Sequence, residues 1–412
     1  MRAHIVALVF IFLCTTIAWA ILGTTIFNRT YSHDSTLKNQ VTSIWGAPHV
    51  QKPPAALATE VTYRQEANYE NRKRVVRTVK DETTVAIPLE MSRINVDLDL
   101  EHRQKGLLWY STYKVGFAGE YVFRNTSKGD LVTCTFYFPT TQAIYDDLVF
   151  TVDGEPVKTE NKNATIVATA KIAAGKTAVL AVRYRSQGLD SWRYVFGDDV
   201  TQVKNFELRM KTNFGDIDFP ENTLSPSKKT PTSTGWELTW TFRNLLSGFQ
   251  IGMVLPQKLQ PGPLAGQISY FAPVSLFFFF FLMFIITTLR GIDLHPMNYF
   301  FLACAFFAFH LLLAYLVDHI SIHLAFIVCS LVSIGLVVSY LRLVVGIRFA
   351  ALEAGLAQLV YLVLFSYAFF FKGFTGLSIT IGSVVTLFVV MQMTGRIRWS
   401  EKFGGKARLA SV

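Results

Sequence analysis

This 412-residue sequence is poor in charge: Asp, Glu, Lys and Arg make up 17% of it, against 51% hydrophobic residues, with 14% aromatic. A water-soluble globular chain carries about 25% charge, so this balance argues against a purely soluble protein. The same abundance of apolar surface excludes a disordered chain. Cysteine is scarce too, and four in this length are too few for a disulfide-stapled mini-domain. Cys14, Cys304 and Cys329 fall in long apolar runs, leaving Cys134 alone in the polar part of the chain, where no internal disulfide can form. The H-E-x-x-H, G-x-S-x-G, P-loop and G-x-G-x-x-G signatures are all missing, as is any solenoid repeat. Ser225-x-x-Lys228 and Ser35-x-x-Lys38 match the letters of an S-x-x-K motif, but S-D-N and K-T-G do not occur and Ser225 precedes Pro226 in a loop.

What the sequence does have is membrane-length apolar runs of about 20 residues. One is N-terminal, Ile5 to about Phe27, and five follow near the other end: Tyr270–Leu289, Met297–Val317, His323–Leu341, Leu352–Phe371 and Gly376–Met393. Arg2 and His4 ahead of an apolar run, with Ala18-Trp19-Ala20 inside it, also fit a cleavable secretory signal. The apolar character continues through Ile21, Leu22 and Ile26, longer than a signal core, which favours an uncleaved anchor. With the N-terminus in the cytoplasm, Arg2, Arg290, Arg342, Arg348, Arg396, Arg398, Lys402, Lys406 and Arg408 fall inside, and the short outside loops carry only Lys372. This positive-inside bias places both termini of a multi-pass membrane protein in the cytoplasm and the long polar stretch outside. Most of the net charge of +10 is then topology, and no nucleic-acid partner is expected. Four regions are expected: an anchor over 1–27, a β-rich extracytoplasmic domain over 28–267, a five-helix bundle over 268–399 and a basic tail over 400–412.

The outer stretch alternates with period two. Val132, Cys134, Phe136 and Phe138 oppose Thr133, Thr135 and Tyr137, and Trp236, Leu238, Trp240 and Phe242 oppose Glu237, Thr239, Thr241 and Arg243. Similar short strands are expected near Thr84–Leu89, Arg93–Leu100, Gly106–Val115, Gly119–Phe123, Leu148–Asp153, Ala164–Ile172, Ala178–Arg185 and Lys204–Thr212, separated by turns such as Asp153-Gly154 and Ser127-Lys128-Gly129-Asp130. Many short strands with regular turns read as one or two β-sandwiches. Ser35–Trp45 reads as a short helix leaving the membrane and Pro53-Pro54 as a linker.

Candidate chemistry is thin. Cys134 sits on an apolar strand face and reads as an inert core thiol. Asp97, Asp99 and Glu101 share one strand face about 7 Å apart, which suits a solvated face better than a cation site. Arg72-Lys73-Arg74 with Arg77 and Lys80 could meet an anionic surface, or be a solvated element balanced by Glu70, Asp81 and Glu82. Ionisable groups within the apolar runs carry more information, because they are costly in a bilayer. His310 lies mid-run, open to an interhelical hydrogen bond or a proton pathway. Asp318, His319 and His323 cluster at outer helix ends, with a spacing that could hold a metal, although no metal or other cofactor is expected there. Asp318 and His319 could also dock the outer domain. Glu353 falls near Arg348 and Arg342, as a salt bridge would place it.

Ile292-Asp293-Leu294-His295-Pro296-Met297-Asn298-Tyr299, Phe309-His310-Leu311-Leu312-Leu313, Asp318-His319, Tyr340-Leu341-Arg342 and Thr394-Gly395-Arg396-Ile397-Arg398-Trp399 resemble the C-terminal membrane core of the CreD-type inner-membrane family. Trp45-Gly46-Ala47-Pro48 and Arg103-Gln104-Lys105-Gly106-Leu107, with Tyr110 and Tyr113, are similar to patches of that family's outer domain. The family more often has Glu where Asp318 stands and Tyr where His310 stands, and an apolar strand where this sequence is Pro-rich after Trp45-Gly46. The resemblance implies a bacterial inner-membrane protein tied to cell-envelope integrity and tolerance of envelope stress, with no established catalysis and so no catalytic residues. His295, His310, Asp318, His319 and Arg342 are the candidate functional residues of the membrane part. Expected partners are the lipid bilayer and other envelope proteins. The main alternative is a transporter or lipid-handling protein working through the bundle, with a membrane enzyme a weaker third.

Overall fold

A computed structural model describes residues 2–32, 34–70, 73–106, 108–197, 199–371 and 373–395. Arg72, Leu107, Lys372, Arg396, Arg398, Trp399 and the tail residues Glu401, Lys402, Lys406 and Arg408 lie outside the described residues. The chain divides into two compact units: Met1–Ser35 with Gly106–Leu108 and Leu259–Val412, and Thr36–Lys105 with Trp109–Lys258.

In the helical unit the long apolar runs become helices α1 (Arg2–Tyr31), α3 (Pro261–Arg290), α4 (Pro296–Leu316), α5 (Ile322–Val344), α6 (Phe349–Phe370, with π-helical turns) and α7 (Thr375–Thr394). With α2 (Asp34–Trp45) in the second unit, these are the helices of the described residues. All six runs are long and apolar enough to cross a membrane. They are apolar all round, and Val6, Phe10, Leu331, Leu343 and Leu352 are left exposed, which suits a hydrocarbon solvent. Pro261 opens α3, where a missing N–H costs nothing. Gly291, at φ 67°, closes it in the left-handed conformation and donates to the Thr287 and Thr288 carbonyls. Gly262 and Gly266 form a G-x-x-x-G face on α3 that lets α1 come close. A methyl at Gly262 would strike Thr30, and one at Gly266 would press on the Phe27 ring.

The β-rich unit contains β1 (His49–Gln51), β2 (Ala55–Glu70), β3 (Lys73–Ile87), β4 (Leu89–Lys105), β5 (Leu108–Arg124), β6 (Leu131–Tyr137), β7 (Tyr145–Val152), β8 (Glu155–Pro156), β9 (Thr159–Lys162), β10 (Thr165–Lys171), β11 (Thr177–Leu189), β12 (Ser191–Tyr194), β13 (Thr201–Thr212), β14 (Lys228–Pro231), β15 (Trp236–Ser247) and β16 (Ile251–Val254). They form an eight-stranded sheet in the order β14-β15-β13-β4-β5-β11-β7-β8, a five-stranded sheet β3-β2-β6-β10-β9 and a three-stranded sheet β1-β12-β16. Alternation decides what is buried. Ile94, Val96 and Leu98 of β4, Leu180, Val182 and Tyr184 of β11, and Leu238 and Trp240 of β15 share one core with Ala58, Val132, Cys134 and Phe136 of the five-stranded sheet. Asp153 and Gly154, both at positive φ, make the tight turn from β7 to β8.

The strands are longer than the sequence suggests. Gly106–Val115 and Gly119–Phe123 merge into β5, because Gly116 and Gly119 stay in register opposite Arg185 and Val182 and an extended glycine with neighbours on both sides does not end a ladder. Ala55–Glu70, read only as chain after a proline linker, is a 16-residue strand. It pairs with β3 from Ala56↔Ile87 to Glu70↔Lys73, whereas β6 covers only Ala55–Thr59. Beyond Thr59 the hairpin is a two-stranded ribbon with Val61 and Tyr63 exposed. Among its described side chains, 61–66 and 76–84, none is buried, so there is no core face to write an apolar period into the sequence.

Candidate functional site

The polar groups of the helical unit fall at its helix ends and at its centre. Residues 23, 27 and 30 of α1 lie against 270, 266 and 262 of α3, so these helices run antiparallel, and α1 runs parallel to α4. At one end Arg29, on the last turn of α1, donates from Nη2 to the Ala314 carbonyl at 2.5 Å and meets Asp318 Oδ1 at 3.3 Å, with the guanidinium 5.1 Å from the Tyr315 ring centre. The partner of Asp318 within this unit is therefore the first helix. His319 is exposed. His323 is exposed as well, its ring 5.3 Å from Phe370. Among the described residues no group of three or more His, Cys, Asp or Glu converges as metal ligands would.

Near the other end of α4, His295 caps the helix by accepting from the Met297 N–H at 3.3 Å, and its ring lies edge-on to His4 at 6.0 Å. Glu353 pairs with Arg290 at 2.5 Å and not with Arg348 or Arg342, because the end of α3 lies beside the start of α6. Arg342 is exposed.

His310 is fully buried at the centre. Its Nδ1 lies 2.9 Å from the Phe306 carbonyl one turn back, so this bond is intrahelical where an interhelical one was expected. The ring stands edge-on to Trp19 at 5.6 Å. Neither His310 Nε2 nor Trp19 Nε1 has a hydrogen-bond partner. Deeper in the bundle, Gln358 donates to Ser333 Oγ at 2.7 Å, and Ser333 donates to the Ala305 carbonyl at 2.7 Å, tying α6, α5 and α4 together. Ser275 likewise donates to the Tyr361 carbonyl, joining α3 to α6. Two clefts in this unit, about 220 Å³ beside His4, Asp293 and Tyr299 and about 150 Å³ beside Phe278, Tyr361 and Thr386, are lined by none of His310, Asp318 and Arg342.

Reading the sequence for ionisable residues missed Trp19, Arg29, Ser333 and Gln358. Trp19 sat inside an apparent cleavage motif, and Arg29 counted as part of the outer stretch. Ser333 and Gln358 carry no charge to draw attention.

In the β-rich unit, burial pushes the Cys134 thiol up to about 11, which makes it a poor nucleophile. Burial pushes His49 down to about 3. Its Nε2 is 3.3 Å from Ser186 Oγ and its Nδ1 has no partner. Asp97 and Asp99 are exposed and Glu101 half-buried. A hydrogen bond from Lys114 holds the Glu101 carboxyl below the usual range. These are the features of a solvated strand face.

Residues 267–400 match the family model described as inner membrane protein CreD, so the resemblance read in His295-Pro296, Asp318-His319 and Tyr340-Leu341-Arg342 stands for the membrane region. No curated protein matches the chain. Among solved structures, one from Legionella pneumophila described as a nutrient binding protein is 11% identical, with a TM-score of 0.35 over 57% of this chain and 76% of that one. An M1 zinc metallopeptidase from Deinococcus radiodurans is 12% identical, with a TM-score of 0.24 over 41% of this chain and 42% of that one. The chain thus spans about two-fifths of that peptidase.

Proposed function

We propose, from the premise that the C-terminal third matches the CreD inner-membrane family, that this protein supports cell-envelope integrity without catalysis. It displays a sandwich-like β-rich domain outside the cytoplasm, between a retained first helix and a five-helix bundle, with both termini inside. Its partners are the lipid bilayer and other envelope proteins, and neither nucleic acid nor a cofactor takes part. The observation that supports this most is how the polar side chains of the helical unit are occupied. Asp318 holds Arg29, Glu353 holds Arg290, and Gln358 and Ser333 cross-link helices. Such groups mark transport paths when they line water, whereas here they join one helix to another.

The test is a deletion strain in the bacterium that carries the gene. Loss of the protein is expected to raise uptake of a bulky hydrophobic dye through the envelope, and the full chain to restore the barrier. Unchanged dye uptake and unchanged sensitivity to envelope-disrupting detergent would overturn the reading. Orientation is checked separately in a background without native cysteines. A cysteine at Lys128 is expected to react with an impermeant reagent in intact cells and one at Lys406 to stay unlabelled.

One observation favours a second reading, in which the bundle moves a proton or substrate: the unpartnered Nε2 of His310. Flux in proteoliposomes that depends on pH and is lost in His310→Phe would establish it.

A further inference from the structure

The solvent face of the eight-stranded sheet holds a depression of about 410 Å³ across β4, β5, β11 and β7. Its residues form cross-strand rows. Arg185 is opposite Gly116 on one side and Asp146 on the other, and a methyl placed on Gly116 would lie 3.8 Å from Asp97 Cβ and Oδ2. One row therefore reads Asp97, Gly116, Arg185, Asp146, an acid and a base separated by the one residue with no side chain. Strands spaced about 4.8 Å apart put the β4 and β11 backbones about 10 Å apart across that gap. Lys114 lies beside the gap, opposite Gln187.

Two facts make this more than a charged strand face. The fold gives Gly116 no reason to be glycine: it is not at positive φ, and its added methyl would meet only ordinary contacts. By contrast, a methyl at Gly119 or Gly188 would run into the ring of Tyr121 or Tyr113. A glycine inside a strand weakens it and often marks where a ligand or another backbone approaches closely. Asp97 and Arg185, on either side of the gap, are also left without each other, while Lys114 is held by Glu101 at 2.6 Å. No ion pair joins Asp97 to Arg185, and the Asp97 carboxylate has no hydrogen-bond or ion-pair partner among the described residues. Arg185 leans away to Asp147 at 3.1 Å, with both side chains mostly exposed, a contact that a competing carboxylate can displace.

The geometry points to a binding site for a small zwitterion, the free amino acid or short peptide class. Its ammonium is held by Asp97, its carboxylate by Arg185 with Lys114 nearby, and its backbone lies on Gly116. This site lies wholly in the β-rich unit and does not depend on the envelope reading.

The experiment titrates the full chain in detergent with triglycine, N-acetyltriglycine and triglycinamide, read by calorimetry. Triglycine is expected to saturate one site, and blocking either end to weaken binding about tenfold, the effect of losing one charge-assisted hydrogen bond. Gly116→Leu, which fills the gap, is expected to abolish binding. Asp97→Asn, at an exposed position that cannot unfold the sheet, is expected to erase the preference for triglycine over N-acetyltriglycine. It decides the matter should Gly116→Leu fail to fold. No saturable binding of triglycine, equal binding of all three peptides, or an unchanged preference in Asp97→Asn would each overturn the site.

Discussion

The two units treat charge in opposite ways. In the helical unit the paired ions sit at helix ends, Arg29 with Asp318 and Arg290 with Glu353, and the buried polar groups are neutral. In the β-rich unit, carboxylates and bases stand in rows on the solvent face, with pairs such as Arg185–Asp147 mostly exposed and Lys114–Glu101 partly so. The difference is one of solvent. Water screens and hydrates surface ions, so a sheet can carry many with little cost or gain. Hydrocarbon does neither, so each polar group there needs a partner inside the protein. A substitution of one kind should then read differently in the two units.

The largest expected effect lies in the core of the β-rich unit. Trp240 is fully buried and donates from Nε1 to the Leu224 carbonyl at 2.8 Å. Trp240→Ala should cost about 3–5 kcal/mol, and Thr239→Ala, on the other face of the strand, less than about 0.5 kcal/mol. Chemical denaturation of the full chain in detergent, followed by tryptophan fluorescence and circular dichroism, checks both. Equal losses would mean that alternation does not decide burial in β15.

Next comes a pH effect from His49, which burial holds neutral down to about 3. The unfolded chain binds a proton there below about 6.5 while the folded one does not. Stability from this group is therefore complete above the unfolded value and is lost as pH falls from about 6.5 toward 3. Between pH 7 and pH 5 the β-rich unit should lose about 2 kcal/mol through His49 alone. His49→Phe should flatten that part of the curve, as read from denaturation midpoints across the pH series. A slope unchanged in the variant would assign the loss to other groups.

Smaller again is the clasp between α1 and α4. Arg29 and Asp318 are each about one-third exposed, so their coupling in a double-mutant cycle should be about 0.5–1 kcal/mol. Arg29→Ala should exceed Asp318→Asn, because Arg29 also donates to the Ala314 carbonyl. Exposed His319→Gln should change nothing. Thermal unfolding of the four cycle proteins in detergent separates these outcomes, and a coupling indistinguishable from zero would remove the clasp.

The same contrast decides how much could be read from sequence. Apolar runs of membrane length announced all six long helices, because that signal is local. The partners of Asp318 and Glu353 were not legible, since they stand far away in sequence and local spacing suggested Arg348 and Arg342 for Glu353. In the β-rich unit the buried faces of β6 and β15 were legible from alternation. The ribbon of β2 and β3 was not, because a strand whose described side chains, 61–66, are exposed on both faces has no apolar period. The parallel pairings of β1 with β12 and β13 with β4 are set by long-range packing that no local signal records. In the candidate site, His310 was legible as a buried polar group, but not that Trp19 of the first helix faces it.

The smallest expected effect is that of His310→Phe, at the contact of His310 with Trp19. His310 Nδ1 donates to the Phe306 carbonyl, so Nε2 is left as a buried acceptor, near an indole N–H that also lacks a partner. Removing one half of an unmade bond differs from breaking a made one, because the Trp19 N–H already lacks a partner and no desolvated group is newly stranded. His310→Phe keeps the edge-on ring contact with Trp19, gives up one intrahelical bond whose carbonyl is still held by the helix, and takes away a stranded acceptor. The balance should fall within about 0.5 kcal/mol of zero. Trp19→Ala should cost about 3–5 kcal/mol, because it opens a cavity between α1 and α4. Thermal unfolding in detergent, run beside the dye-uptake assay at matched protein levels, reads both. A stable His310→Phe protein that fails to restore the envelope barrier would mean that Nε2 acts on something passing through the bundle. A stable and functional one leaves the histidine as a packed ring and the first helix as part of the bundle.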